Sequence, residues 1–113
     1  MRRNREPGCP FCGCLFDRPH EIRTKLGNDF SGGRCECGAV YVFDRSGHNL
    51  GEAYVDALNF VCEGRYDNPW DLIPGEDYKE VFLHYDQRTH TLTDKRGRTP
   101  ENICFILLKR VNK

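Results

Sequence analysis

Polar and apolar positions change rhythm several times along the chain, and each change marks an element. Residues 1–8 are polar and end at Pro7-Gly8, which reads as a flexible arm. From Glu21 to Leu26 polar and apolar residues alternate, the period-two pattern of a strand with one exposed face. Ala39-Val40-Tyr41-Val42-Phe43 is apolar throughout, so a strand there is covered on both faces. Behind Asn49 the spacing becomes helical. Leu50, Ala53, Tyr54, Ala57, Leu58, Val61 and Cys62 fall on one face, predicting a helix of about four turns, ~20 Å long. Asn49 and Glu52 stand at capping-box spacing, and Gly64 is placed to end the helix.

The second half reads as more helix, then strand. Asn68-Pro69-Trp70-Asp71-Leu72-Ile73 predicts one helical turn, stopped by Pro74-Gly75. Tyr78, Val81, Phe82 and Tyr85 repeat the helical spacing behind the acidic pair Glu76-Asp77, predicting a second helix. A strand over 81–85 is the rival, because β-branched and aromatic residues crowd there. Thr89–Thr93 alternates like a strand, Asp94-Lys95-Arg96-Gly97 turns the chain, and Ile103–Leu108 fits a buried strand. These last two segments are expected to pair antiparallel, with the helices on one side. Asp17-Arg18-Pro19, Gly27-Asn28-Asp29, Ser31-Gly32-Gly33 and Asp44–His48 read as turns and loops.

Cysteine placement adds what the hydrophobic pattern lacks. Cys9-Pro10-Phe11-Cys12-Gly13 and Cys35-Glu36-Cys37-Gly38 are two pairs, each closed by glycine, with 22 residues between them. Pro10 fixes its own φ, and Gly13 can take the positive φ that a backbone turning beside a ligand needs. Four thiolates converging on one ion is the ligand set of a structural Zn²⁺ site. Residues 9–43 resemble the zinc-ribbon (rubredoxin-like) superfamily, which shares the Cys-Pro-x-Cys-Gly first knuckle and a second Cys pair followed by Gly. The second pair departs from that pattern, with one residue between Cys35 and Cys37 instead of two. The resemblance implies one structural Zn²⁺ on Cys9, Cys12, Cys35 and Cys37. Iron, as a rubredoxin-like or iron–sulfur centre, would use similar ligands and stays open. Cys14 reads as a bystander thiol, and Cys62 and Cys104 as small buried hydrophobes.

The expected fold is therefore α+β: a zinc ribbon over 9–44 behind an arm at 1–8, then two helices and a C-terminal β-hairpin within 45–113, packed together as one small domain. At 113 residues a chain buries roughly 65% of the surface its unfolded form exposes, so a metal staple is useful. Seven cysteines, two pairs of them too close for easy internal disulfides, suit metal binding in a reducing cytoplasm better than a secreted disulfide framework. No apolar run approaches the ~18 residues of a membrane span, and no apolar region follows the charged N-terminus as in a secretory signal.

Charge narrows the partner without choosing it. Seventeen basic residues balance seventeen acidic ones, but unevenly: residues 49–94 carry 3 basic and 10 acidic groups, residues 95–113 carry 6 and 1. A nucleic-acid-binding reading rests on Arg2, Arg3 and Arg5 in the arm, Arg18, Arg23, Lys25 and Arg34 on the ribbon, and Lys95, Arg96 and Arg98 in the late turn. Phe16, Phe30 and Tyr41 would be its stacking surfaces. The acidic middle and the zero net charge oppose it. His20, His48, His84 and His90 show no paired spacing and read as surface or packing residues. No catalytic arrangement of Ser, His and Asp, phosphate loop or H-E-x-x-H helix occurs, and four cysteines leave a metal no open position. The expectation is a non-enzymatic zinc-binding interaction protein with a protein partner, a nucleic-acid-binding ribbon as the alternative, and an iron or redox protein behind both.

Overall fold

The computed structural model describes residues 4–23, 29–45, 49–61, 73, 75–93 and 100–108. Its elements are β1 (Asn4–Arg5), β2 (His20–Ile22), β3 (Phe30–Arg34), β4 (Val40–Phe43), α1 (Leu50–Val61), β5 (Tyr78–Asp86), β6 (Thr91–Thr93) and β7 (Ile103–Leu108). The strands form a sheet in the order β1-β6-β5-β7-β4-β3-β2, with every described pairing antiparallel.

The expectation of two helices and a C-terminal hairpin is overturned: the chain is mostly β, with α1 the one helix among the described residues. Residues 78–85, expected as a helix with a strand over 81–85 as the rival, belong to the longest described strand, Tyr78–Asp86. It lies between β6 and β7, so 91–93 and 103–108 do not pair with each other. The helix-like spacing has a physical origin. Tyr78 packs with the α1-side core and Phe82 stacks near Tyr54 of α1, 6.0 Å between ring centroids. Tyr85 packs in the core on the opposite side, and Val81 is paired with Phe105, which lies in that core. Two residues on each face of a doubly used strand leave an i, i+3, i+4, i+7 imprint that one helical face would also leave.

Ser31-Gly32-Gly33, expected as loop, is the middle of β3. Glycine is required there by close approach. A Cβ on Gly32 would sit 1.9 Å from the Tyr41 carbonyl oxygen, and one on Gly33 would sit 2.4 Å from the Tyr41 hydroxyl. The tyrosine of the neighbouring strand occupies the space a side chain would need. The predicted turn at 68–73 and the helix end at Cys62–Gly64 lie outside the described residues, apart from Ile73.

Both faces of the central strands are buried, and all four residues of β4 are, as their unbroken apolar run predicted. On one face Leu50, Ala57, Leu58 and Val61 of α1 cover Val40, Val42, Cys104, Ile106 and Leu108. The helix begins where its pattern predicted: the Asn49 carbonyl accepts the Ala53 N–H at 3.1 Å, and Asp44 Oδ2 accepts the Asn49 N–H at 2.9 Å. On the other face Cys9, Phe16, Cys35 and Ala39 cover Tyr41, Phe43, Tyr85, Leu92, Ile103 and Phe105. Asn102 extends the ladder beyond β7, its side chain accepting the Tyr85 N–H (2.8 Å) and donating to the Tyr85 carbonyl (3.0 Å). No helix of the described residues is long and apolar enough to cross a membrane.

Candidate metal centre

The two cysteine pairs sit on tight turns at one end of the second face. In the first, the Gly13 N–H donates to the Cys9 carbonyl at 2.8 Å, and Gly13 takes the positive φ (83°) its position predicted. In the second, the Gly38 N–H donates to the Cys35 carbonyl at 2.9 Å, with Gly38 at φ 101°. The Cys35 N–H donates to the Ala39 carbonyl, tying this turn directly to the strands on either side. Left-handed backbone at both positions suits glycine, because no Cβ meets the following carbonyl.

Together the turns bring four sulfurs into one place. The ligand atoms of Cys9, Cys12, Cys35 and Cys37 all lie within 4.8 Å of one another. Cys9 Sγ and Cys37 Sγ are 3.8 Å apart, and Cys12 Sγ and Cys35 Sγ 3.4 Å. A disulfide needs about 2.05 Å, so these are not disulfide contacts. A tetrahedron of thiolates with metal–sulfur bonds of about 2.3 Å has edges of about 3.8 Å. The sulfurs therefore fit a tetrahedral ion, and the single residue between Cys35 and Cys37 does not keep that pair out of the group.

The backbone is arranged for negative charge on these sulfurs. Cys9 Sγ accepts the Phe11 N–H and Cys12 Sγ accepts the Cys14 N–H, each at 3.4 Å. The Cys14 amide, followed by Cys35, lowers the Cys12 thiol to about 7. Burial acts the other way on the two inner cysteines, raising Cys9 and pushing Cys35 up to about 12. Two thiols inside and two facing solvent make a cup that can hold a metal ion in place of the thiol protons. Cys14 is exposed and stands outside the group of four. Cys104 is buried in β7 on the α1 side, where burial raises its thiol to about 12.

The basic residues expected to meet nucleic acid do not form one described patch. Arg2, Arg3, Lys25, Lys95, Arg96 and Arg98 lie outside the described residues, and Arg5 belongs to β1. Arg23 is exposed just after β2. Arg34 lies over the Phe60 ring of α1, 4.7 Å from its centroid, and Arg18 Nη1 donates to the Gln87 carbonyl at 2.7 Å. Of the proposed stacking surfaces, Phe16, Phe30 and Tyr41 are all buried. A separate open cleft of about 410 Å³ is lined in part by Glu21, Asp29, Asp44, Glu52 and Asp56, and shares no residue with the cysteines. There burial, then Glu52, raises the Asp56 carboxyl.

Sequence reading missed the residues that hold the first knuckle to the sheet. The Tyr41 hydroxyl donates to the Asp17 carbonyl at 2.7 Å. His90 meets both the Phe16 carbonyl and the Tyr85 hydroxyl. The one local signal was Asp86, whose Oδ1 accepts the Arg88 and Thr89 N–H groups and so marks a turn before His90. Two glycine-closed turns carrying four convergent thiols make a site that can hold a metal ion, compatible with a zinc-ribbon-like centre. No protein-family model matches the chain, and no curated protein or solved structure gives a significant match. The site thus defines a candidate metal-binding protein and nothing narrower.

Proposed function

We propose that the protein binds one structural Zn²⁺ through Cys9, Cys12, Cys35 and Cys37 and acts without catalysis, as an interaction protein docking onto another protein. The observation that carries the metal reading is the four-sulfur group, whose 3.4 and 3.8 Å separations fit a tetrahedral ion. Zinc is favoured because it prefers four thiolates in that geometry. Four ligands from the chain complete such a coordination shell, which suits a structural role. A protein partner is favoured over nucleic acid because Arg18 and Arg34 are engaged within the fold, while Leu15, at the exit of the first knuckle, is 63% exposed.

Metal analysis of the full chain purified without added metal tests the first part. One equivalent of zinc and a colourless solution are expected, whereas visible absorption would mean iron. Cys9→Ser and Cys35→Ser should each lose the ion and destabilise the fold, because binding energy at such sites is folding energy. Retention of one zinc at full stability in both variants would remove the proposed site. For the partner, oligonucleotides should show no binding at low salt, where phosphate contacts are strongest. A salt-dependent complex would favour the nucleic-acid reading.

A further inference from the structure

His90 occupies an unusual position for a turn histidine. Among the described residues it is the one non-glycine with a positive φ, at 57°. Its ring stands edge-on to Phe16 and to Tyr85, with centroids 5.7 Å away in each case. Both ring nitrogens are used. Nε2 lies 2.9 Å from the Phe16 carbonyl oxygen, which can only accept, so Nε2 carries the proton. In the neutral ring Nδ1 is then an acceptor, and it takes the Tyr85 hydroxyl at 2.5 Å.

What His90 holds is the base of the first cysteine loop. The Phe16 N–H donates to the Pro7 carbonyl at 2.9 Å, Gly8 and Leu15 form an isolated bridge, and the Cys9 N–H donates to the Cys14 carbonyl at 2.8 Å. The chain between Pro7 and Phe16, with Cys9 and Cys12 on it, is therefore closed at Phe16. Cys35 and Cys37 need no such anchor, since their turn joins β3 directly to β4. We propose that His90 is a positioning residue of the metal centre: by fixing the Phe16 carbonyl it sets where Cys9 and Cys12 stand relative to Cys35 and Cys37. This rests on the reading that the four cysteines bind metal.

Two conservative variants separate positioning from support of the turn. His90→Asn suits the left-handed backbone and offers an oxygen in place of Nδ1, but has no donor reaching Phe16. His90→Gln keeps an amide nitrogen near the place of Nε2. Each full-length variant is titrated with Zn²⁺ against a chromophoric chelator, and its Co²⁺-loaded form is followed by visible absorption. The Asn variant should bind Zn²⁺ about tenfold more weakly, the lower end of the loss when a group supporting metal ligands is removed. Its Co²⁺ bands should shift, while the Gln variant recovers most of the affinity and the wild-type spectrum.

An Asn variant with wild-type affinity and spectrum overturns the proposal. Should that variant fail to fold, the Gln variant decides: a folded Gln variant binding tenfold more weakly is equally fatal. If the wild-type chain itself takes up no Zn²⁺, the metal reading falls first, and that failure is visible before any variant is made.

Discussion

Each face of the sheet carries a buried core, but the two are covered by different means. On one side α1 supplies a lid whose interior backbone groups are satisfied by its own i→i−4 hydrogen bonds, leaving its apolar stripe free to pack. On the other the cover is irregular chain, Cys9, Phe11 and Phe16 of the first cysteine loop together with Cys35 and Ala39. Such chain satisfies only part of its own polar groups, and an unpaired buried group costs about 1–3 kcal/mol. Here they are met by turn bonds, by the Tyr41 hydroxyl and by His90. Aromatic packing adds to this: Phe16 lies 4.9 Å from Tyr41 and 5.0 Å from Phe105 between centroids, each such pair worth about 0.5–1.5 kcal/mol beyond area burial. The lesson is that the thiol cluster stands where regular secondary structure runs out.

The sharpest way to break this comparison is to truncate one large side chain on each face and measure stability with and without chelator. Phe16→Ala should cost about 3–5 kcal/mol and Leu58→Ala about 2–5 kcal/mol by denaturant unfolding. Phe16→Ala should also weaken Zn²⁺ binding, whereas Leu58→Ala should leave it unchanged. Equal loss of metal in the two variants would mean that the faces are not separable. A smaller effect is expected at Gly33, where Ala pushes its Cβ into the Tyr41 hydroxyl. Displacing that ring strains the Cys side, at about 1–3 kcal/mol, and should free the Asp17 carbonyl, read as faster amide exchange around residues 16–18. The smallest belongs to the helical lid. Gly51 is exposed in α1, and a Cβ added there would meet nothing within 4 Å. Gly51→Ala should therefore stabilise by about 0.5–1 kcal/mol with metal affinity untouched.

Legibility in the sequence cut across this division. The helix-covered side was readable wherever local pattern and final environment agree. The stripe from Leu50 and the unbroken runs at 39–43 and 103–108 each declare their burial without reference to distant residues. The cysteine turns were readable for a different reason, since ligand chemistry and a closing glycine restrict the choices. Reading failed where a tertiary neighbour rewrites the meaning of a residue. Gly32 and Gly33 look like turn material until Tyr41 is seen to occupy their side-chain space. Tyr78, Val81, Phe82 and Tyr85 look like one helical face until Tyr78 and Tyr85 are seen to pack into cores on opposite sides of the sheet. His90 and Asn102 left no periodic trace, because each acts on backbone groups far away in sequence or beyond the end of a strand.

The sheet's two borders carry a consequence for how the molecule meets others. Among the described residues β1 offers Asn4–Arg5 at one border, and β2 offers His20–Ile22 at the other. Joining a further strand to a sheet takes a run of free amides and carbonyls along an edge, and short edges are one of the means by which proteins resist such addition. A long template for growth by strand exchange is missing from the described residues at both ends. At these two described borders, growth of the sheet through main-chain ladders is therefore disfavoured.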